Sequence, residues 1–147
     1  MFRGRRSQDG AAAVELALVL PLLVLFVFGT IEFGLAYNRQ QAFQAAAREA
    51  GRLAAVGYHD EVNDPSSTVN ERVRRTAAST VSPSHVRVQT EACSGDPDPE
   101  FITAVVELVD DPAIRSQYQI RIPLVPGTDS VSFRSEAVFR CEVRSDS

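Results

Sequence analysis

The sequence predicts an α+β fold: a long N-terminal helix, transmembrane in its first half and amphipathic in its second, packed on a small antiparallel β-sheet. Three observations carry this. An almost unbroken apolar run fills residues 11–31; an Ala-rich stripe then recurs at three- and four-residue spacing; and after Pro83 the apolar period changes to two. At 147 residues the chain has room for one domain of ordinary size beside the apolar segment. Its net charge of −4, with no basic cluster beyond the first six residues, argues against nucleic acid as a partner. All the basic side chains are Arg.

The apolar run comes first. Glu15 is the only ionisable residue in residues 11–31, a stretch of about 31 Å as helix, matching the hydrocarbon core of a bilayer. Leu, Val and Phe dominate residues 16–28, each favouring insertion by about 0.3–0.6 kcal/mol. Together they outweigh one carboxylate near the membrane edge. Arg3, Arg5 and Arg6 precede the run and no basic residue follows before Arg39, so the positive-inside bias holds the N-terminus in the cytoplasm and sends the rest across. Pro21 removes a backbone hydrogen bond to Ala17 and is expected to kink the helix. A cleaved secretory signal is the competing reading, with Gly34 to Ala36 offering small residues, but the helical pattern continues past them.

The second half of the helix carries Phe43, Ala46, Ala47, Ala50, Leu53 and Ala54 on one face, with Arg48, Glu49 and Arg52 elsewhere on its surface. This stripe is expected to seat on the chain's own globular part, or against the helix of another subunit. Gly57 is a candidate C-cap, and residues 58–67 read as a polar loop. A second helix is expected over 69–80, started by a Thr68–Glu71 capping box, with Val69, Val73 and Ala77 inward and Arg72, Arg74 and Arg75 on a solvated face.

Strands follow. Val86, Val88, Thr90 and Ala92 alternate with His85, Arg87, Gln89 and Glu91. Residues 100–109 form a second strand, apolar on both faces; 116–124 a third; and 130–143 a last one, with Val131, Phe133, Ala137, Phe139, Cys141 and Val143 on one face. Cys93 and Cys141 end the first and last of these strands. In an exported domain they read as one disulfide, worth about 3–5 kcal/mol in the chain-entropy model, or else as two buried thiols. His59 and His85 lack metal-ligand spacing, the Asp-Pro steps at 96–99 and 110–112 read as turns, and no Gly-rich phosphate loop or nucleophile motif occurs. No catalytic residue, metal or cofactor is expected.

Gly10, then four small or apolar residues, then Glu15, between upstream arginines and an apolar helix, resembles a type IV prepilin processing site. The ordered set Glu15 with Ala17, Leu20 with Pro21, and Gly29 with Glu32 is more closely similar to the TadE-like family of tight-adherence (Flp, type IVb) pilus systems. The similarity extends over about residues 10–57. It implies a pilin-like fold and a minor pseudopilin, because Leu16 stands where Flp major pilins usually carry Tyr and the chain runs far beyond a short helical pilin. It implies a cut between Gly10 and Ala11 by a prepilin peptidase. Glu15 would serve in peptidase recognition and in assembly, meeting the free amine of a neighbouring subunit's Ala11. It further implies other pilins and pilus assembly proteins as partners, alongside membrane lipid. The expected organisation is a cytoplasmic leader (1–10), a transmembrane helix (11–33), an amphipathic continuation (34–57) and an extracytoplasmic α+β domain (58–147), anchored by a single pass in the inner membrane. An uncut, membrane-anchored accessory or binding protein is the alternative.

Overall fold

The computed structural model describes residues 5–78, 81–91, 101–118 and 133–141, with side chains from residue 10 onward. Helix α1 (Arg5–Leu53) runs 49 residues through Pro21 without interruption. A π-helical turn (Ala54–Tyr58) and a short helix α2 (His59–Asn63) follow, then α3 (Thr68–Ala77), a 3-10 turn (Pro83–His85), strands β1 (Val86–Thr90) and β2 (Phe101–Leu108), helix α4 (Pro112–Gln117) and strand β3 (Arg134–Arg140). The sheet is antiparallel in the order β1-β2-β3. Val88 pairs with Val106, and Ala104 with Ala137. The α+β class, with a long helix on a small antiparallel sheet, is as the sequence predicts.

The core lies between one sheet face and the second half of α1. Phe43, Ala46, Ala47 and Ala50 are fully buried, together with Val62, Val73 and Ala77 from α2 and α3. Facing them are Val86, Val88, Ala104, Val106 and Phe133. Burying a Phe such as Phe43 is worth about 1.5–3 kcal/mol, and its ring packs against Phe133 at 6.1 Å between centroids. The Ala stripe lets α1 lie close across β2 and β3, while α3 covers β1. Gly51 takes that closeness furthest: a Cβ there would sit 2.7 Å from Phe139 Cε2. The stripe therefore seats on the chain's own sheet.

Several expectations change. Gly57 does leave the right-handed helical region (φ 104°, ψ 7°), a conformation costly for any other residue. The chain does not become a loop there, however. Residues 59–63 form α2 because Val62 is drawn wholly into the core and Asn63 anchors the turn to β1. The polar link shrinks to residues 64–67, where Asp64 accepts hydrogen bonds from the Ser66 amide and hydroxyl. Helix α3 is capped by Ser67, whose Oγ accepts from the Val69 amide at 3.0 Å, rather than by a Thr68–Glu71 box. Glu71 instead pairs with Arg75 at 2.9 Å. The arginine face of α3 is not merely solvated: Arg72 reaches Glu49 of α1 at 3.0 Å, and Arg74 donates to the Pro83 carbonyl.

Among the strands, β1 alternates as expected, Val86, Val88 and Thr90 inward and Arg87 and Gln89 outward. Strand β2 is buried on one face only (Ile102, Ala104, Val106, Leu108), since both covering helices lie on the same side and Thr103, Val105 and Glu107 are only partly covered. Phe101 is 67% exposed. The strand expected at 116–124 begins instead as helix α4. Asp111 caps it by accepting from the Ala113 amide, and Pro112 supplies its preset φ at N1. Residues 119–124 lie outside the described residues, as do Ala92, Cys93, the Asp-Pro steps of 96–99, Val131 and Val143. In β3 Ala137 and Phe139, flanked by Phe133 and Cys141, face inward as expected, and buried Ser135 joins them.

Candidate functional site: the free half of the N-terminal helix

Helix α1 has two chemically different halves. From Ala36 onward it packs into the head. Before that its apolar side chains stand largely open: residues 10–24 are exposed without exception, and Leu18, Phe26 and Phe33 are 75%, 67% and 70% exposed. The segment is long and apolar enough to cross a membrane, and none of it is buried within the chain. A surface of this extent is too costly to leave in water, so lipid or another apolar surface must cover it.

The polar groups on this half are few and placed at its ends. Thr30 returns its hydroxyl to the Phe26 carbonyl at 2.8 Å, which removes an unpaired donor from an apolar setting. Glu15 lies exposed one helical turn after Ala11, on the same face. Glu32 is half-buried near the other end. Gly10 sits inside α1 in open surroundings, with nothing within 4 Å of where a Cβ would lie. Its backbone is therefore helical rather than extended, and the Gly10–Ala11 bond lies in the second turn of α1. Pro21 leaves the helix continuous as well.

The head's reactive-looking side chains are occupied structurally. His59 Nδ1 accepts from the Asn63 amide at 3.0 Å and lies 3.2 Å from the Thr90 hydroxyl. Asn63 also donates to the Thr90 carbonyl at 2.9 Å and accepts from its amide at 2.8 Å, extending the strand edge as a neighbouring backbone would. His85 Nδ1 faces the Tyr118 hydroxyl at 2.9 Å, and that hydroxyl accepts from the Ser82 amide. Among the described residues no cluster of His, Cys, Asp or Glu could hold a metal. Cys141 is 5% exposed beside Ala54, Ala55 and Ile102, and its expected partner Cys93 lies outside the described residues. Sequence reasoning singled out neither Asn63 nor Gly51. Their roles depend on contacts distant in the chain, and only the buried turn around Val62 hints at the first.

No curated protein and no solved structure matches the chain. Residues 10–52 match the family model described as TadE-like protein, a span that begins at Gly10 and ends with the buried half of α1. Over its N-terminal helix, and there alone, the chain is thus similar to the TadE-like family.

Proposed function

We propose that the chain is a minor pseudopilin, an assembly component of a tight-adherence (Flp, type IVb) pilus, held in the inner membrane with its N-terminus cytoplasmic and its head extracytoplasmic. In this reading residues 1–10 are the leader, 11–33 the span, 34–57 the buried continuation and 58–147 the exported domain. A prepilin peptidase cuts between Gly10 and Ala11, and the cut chain assembles with other pilins through α1. The observation that carries the proposal is the bare apolar half of α1, with Glu15 one turn from Ala11, in the segment that matches the family. In the membrane, the new amine of Ala11 on one subunit and Glu15 on the next attract strongly, whereas either alone is penalised. The role is structural, with no catalytic residue or cofactor. A Cys93–Cys141 disulfide belongs to the same reading: the described residues contain no free thiol, and an exported domain sits in an oxidising compartment.

N-terminal sequencing of the protein from its native host tests the processing: Ala11 is expected as the first residue, and material that begins upstream with Arg3, Arg5 and Arg6 throughout refutes it. One observation favours the second reading, an uncut anchored accessory protein: helix α1 starts at Arg5, so Gly10 must unwind before a peptidase can bind it extended. In that reading Gly10→Leu leaves size, location and piliation unchanged; in ours it blocks the cut.

A further inference from the structure

The contacts of α1 define which end of the head faces the membrane. Gln40 donates to the Arg134 carbonyl and the Ser135 hydroxyl, and Arg39 to the Tyr118 carbonyl. More than three turns further along, Ala54 and Ala55 meet Ile102 and Cys141. Strand β3 therefore runs away from the membrane, and among the described residues the near end of the head includes α4, Tyr118, Phe133 and Arg134. Just below it, Phe33 and Tyr37 stack at 6.4 Å, both well exposed, the pairing expected of aromatic side chains at a membrane interface. Arg39 lies two residues beyond Tyr37, about 3 Å along the axis, and about 12 Å beyond Ile31. Headgroup layers add about 5–8 Å to each side of the hydrocarbon, so on an upright helix Arg39 stands about 4–7 Å above them. A tilt of about 20° toward the head lowers side chains lying about 10 Å off the axis by about 3 Å.

Among the described residues this end carries Arg39, Arg87, Arg115 and Arg134 against Glu107, Asp110 and Asp111, a small cationic excess whose pairing is incomplete. The Arg39 guanidinium lies 5.6 Å from the Tyr118 ring centre and 5.9 Å from that of Phe133. It has one long 3.4 Å hydrogen bond, its Nε is buried without an acceptor, and among the described residues no carboxylate comes within ion-pair distance. Beside it a cleft of about 280 Å³ is lined by Arg87, Arg115, Arg134, Glu107 and Asp110. Among the described residues only Arg115 is ion-paired there, to Asp110. Arginines prefer forked contact with phosphate oxygens, and near a bilayer such oxygens are the nearest anions.

We propose that the near end of the head docks on anionic phospholipid headgroups, with Arg39 and Arg134 as the phosphate-binding cations and the Phe33–Tyr37 pair setting the depth. The proposal rests on the membrane-spanning reading of α1. Its test uses single full-length chains in nanodiscs of phosphatidylcholine, with or without phosphatidylglycerol, and reads amide hydrogen exchange at 112–118 and 133–136. Phosphatidylglycerol should slow exchange there by about fivefold for each arginine engaged. The slowing should vanish at roughly 0.5 M salt and in Arg39→Gln/Arg134→Gln, while exchange in α3 stays unchanged and shows the head still folded. Equal rates in the two bilayers overturn the proposal. So does equal slowing by inorganic phosphate over phosphatidylcholine, which marks a free-anion site, or slowing only in discs holding two chains, which assigns the anion to a neighbouring subunit. A chain that fails to enter discs refutes the spanning reading itself, a distinguishable failure.

Discussion

Substituting Gly51 by Ala sets two effects of opposite sign against each other. In an exposed helix interior this change stabilises by about 1 kcal/mol, because Gly has more backbone freedom to lose. At Gly51 the new Cβ would lie 2.7 Å from Phe139 Cε2 and nearer still to Cδ2, with Ala104 Cβ at an ordinary 3.4 Å. Carbon atoms in contact prefer about 3.5–4.0 Å, so the Phe139 ring must retreat by about 1 Å. Overpacking of this kind costs about 1–3 kcal/mol. The clash exceeds the helix gain, and Gly51→Ala should destabilise the head by about 1 kcal/mol. With Phe139→Ala already in place the obstruction is gone, and Gly51→Ala should then stabilise by about 0.5–1 kcal/mol. Urea midpoints from pulse proteolysis of the full chain in detergent micelles supply all four corners of the cycle. The expected signature is a reversal of sign between the two backgrounds. The same sign in both would show that Phe139 does not limit the approach of α1 to the sheet.

Two further substitutions probe the link after α1. Asn63→Ala strips two hydrogen bonds from the end of β1 and leaves the Thr90 amide and carbonyl without their partner. It should cost about 1–3 kcal/mol and speed exchange of the Thr90 amide; an unchanged Thr90 amide would refute the anchoring role. Asp64 should titrate below the ordinary Asp value of 3.8, because the Ser66 hydroxyl and then its backbone amide donate to the carboxylate. A lowered folded-state value adds stability above the unfolded value, and that stability is lost as pH falls through the folded one. Ser66→Ala should therefore raise the midpoint read by carboxyl NMR, and an unmoved midpoint would refute the assignment.

The long helix and the inward faces of the strands are legible because each obeys a period that the backbone imposes. Phe43 through Ala54 recur at helical spacing and Val86 through Thr90 at strand spacing, and burial follows both. Helix α2 was hidden because one apolar residue, Val62, sets no period, and its remaining support comes from Thr90, far along the chain. Helix α4 overlaps the strand expected from Ser116 onward because the alternation there hides the Asp111–Pro112 cap, which starts a helix. Two residues that organise the near end of the head, Arg39 and Tyr118, carry no pattern at all; they matter through each other. At the candidate site Gly10, Glu15 and Pro21 stood out because polar and helix-breaking residues are costly in an apolar run. The family match falls on the same stretch.

Helix α1 is at once the chain's free apolar segment and a core element, one continuous helix from Arg5 to Leu53. A pull along its axis, whether from extraction out of the bilayer or from tension in a fibre, would load Phe43, Ala46, Ala47 and Ala50 together against the sheet. Such contacts fail in shear, all at once, rather than by peeling one after another. The head therefore resists a pull along α1, and yields more easily to a force that lifts β3 away sideways.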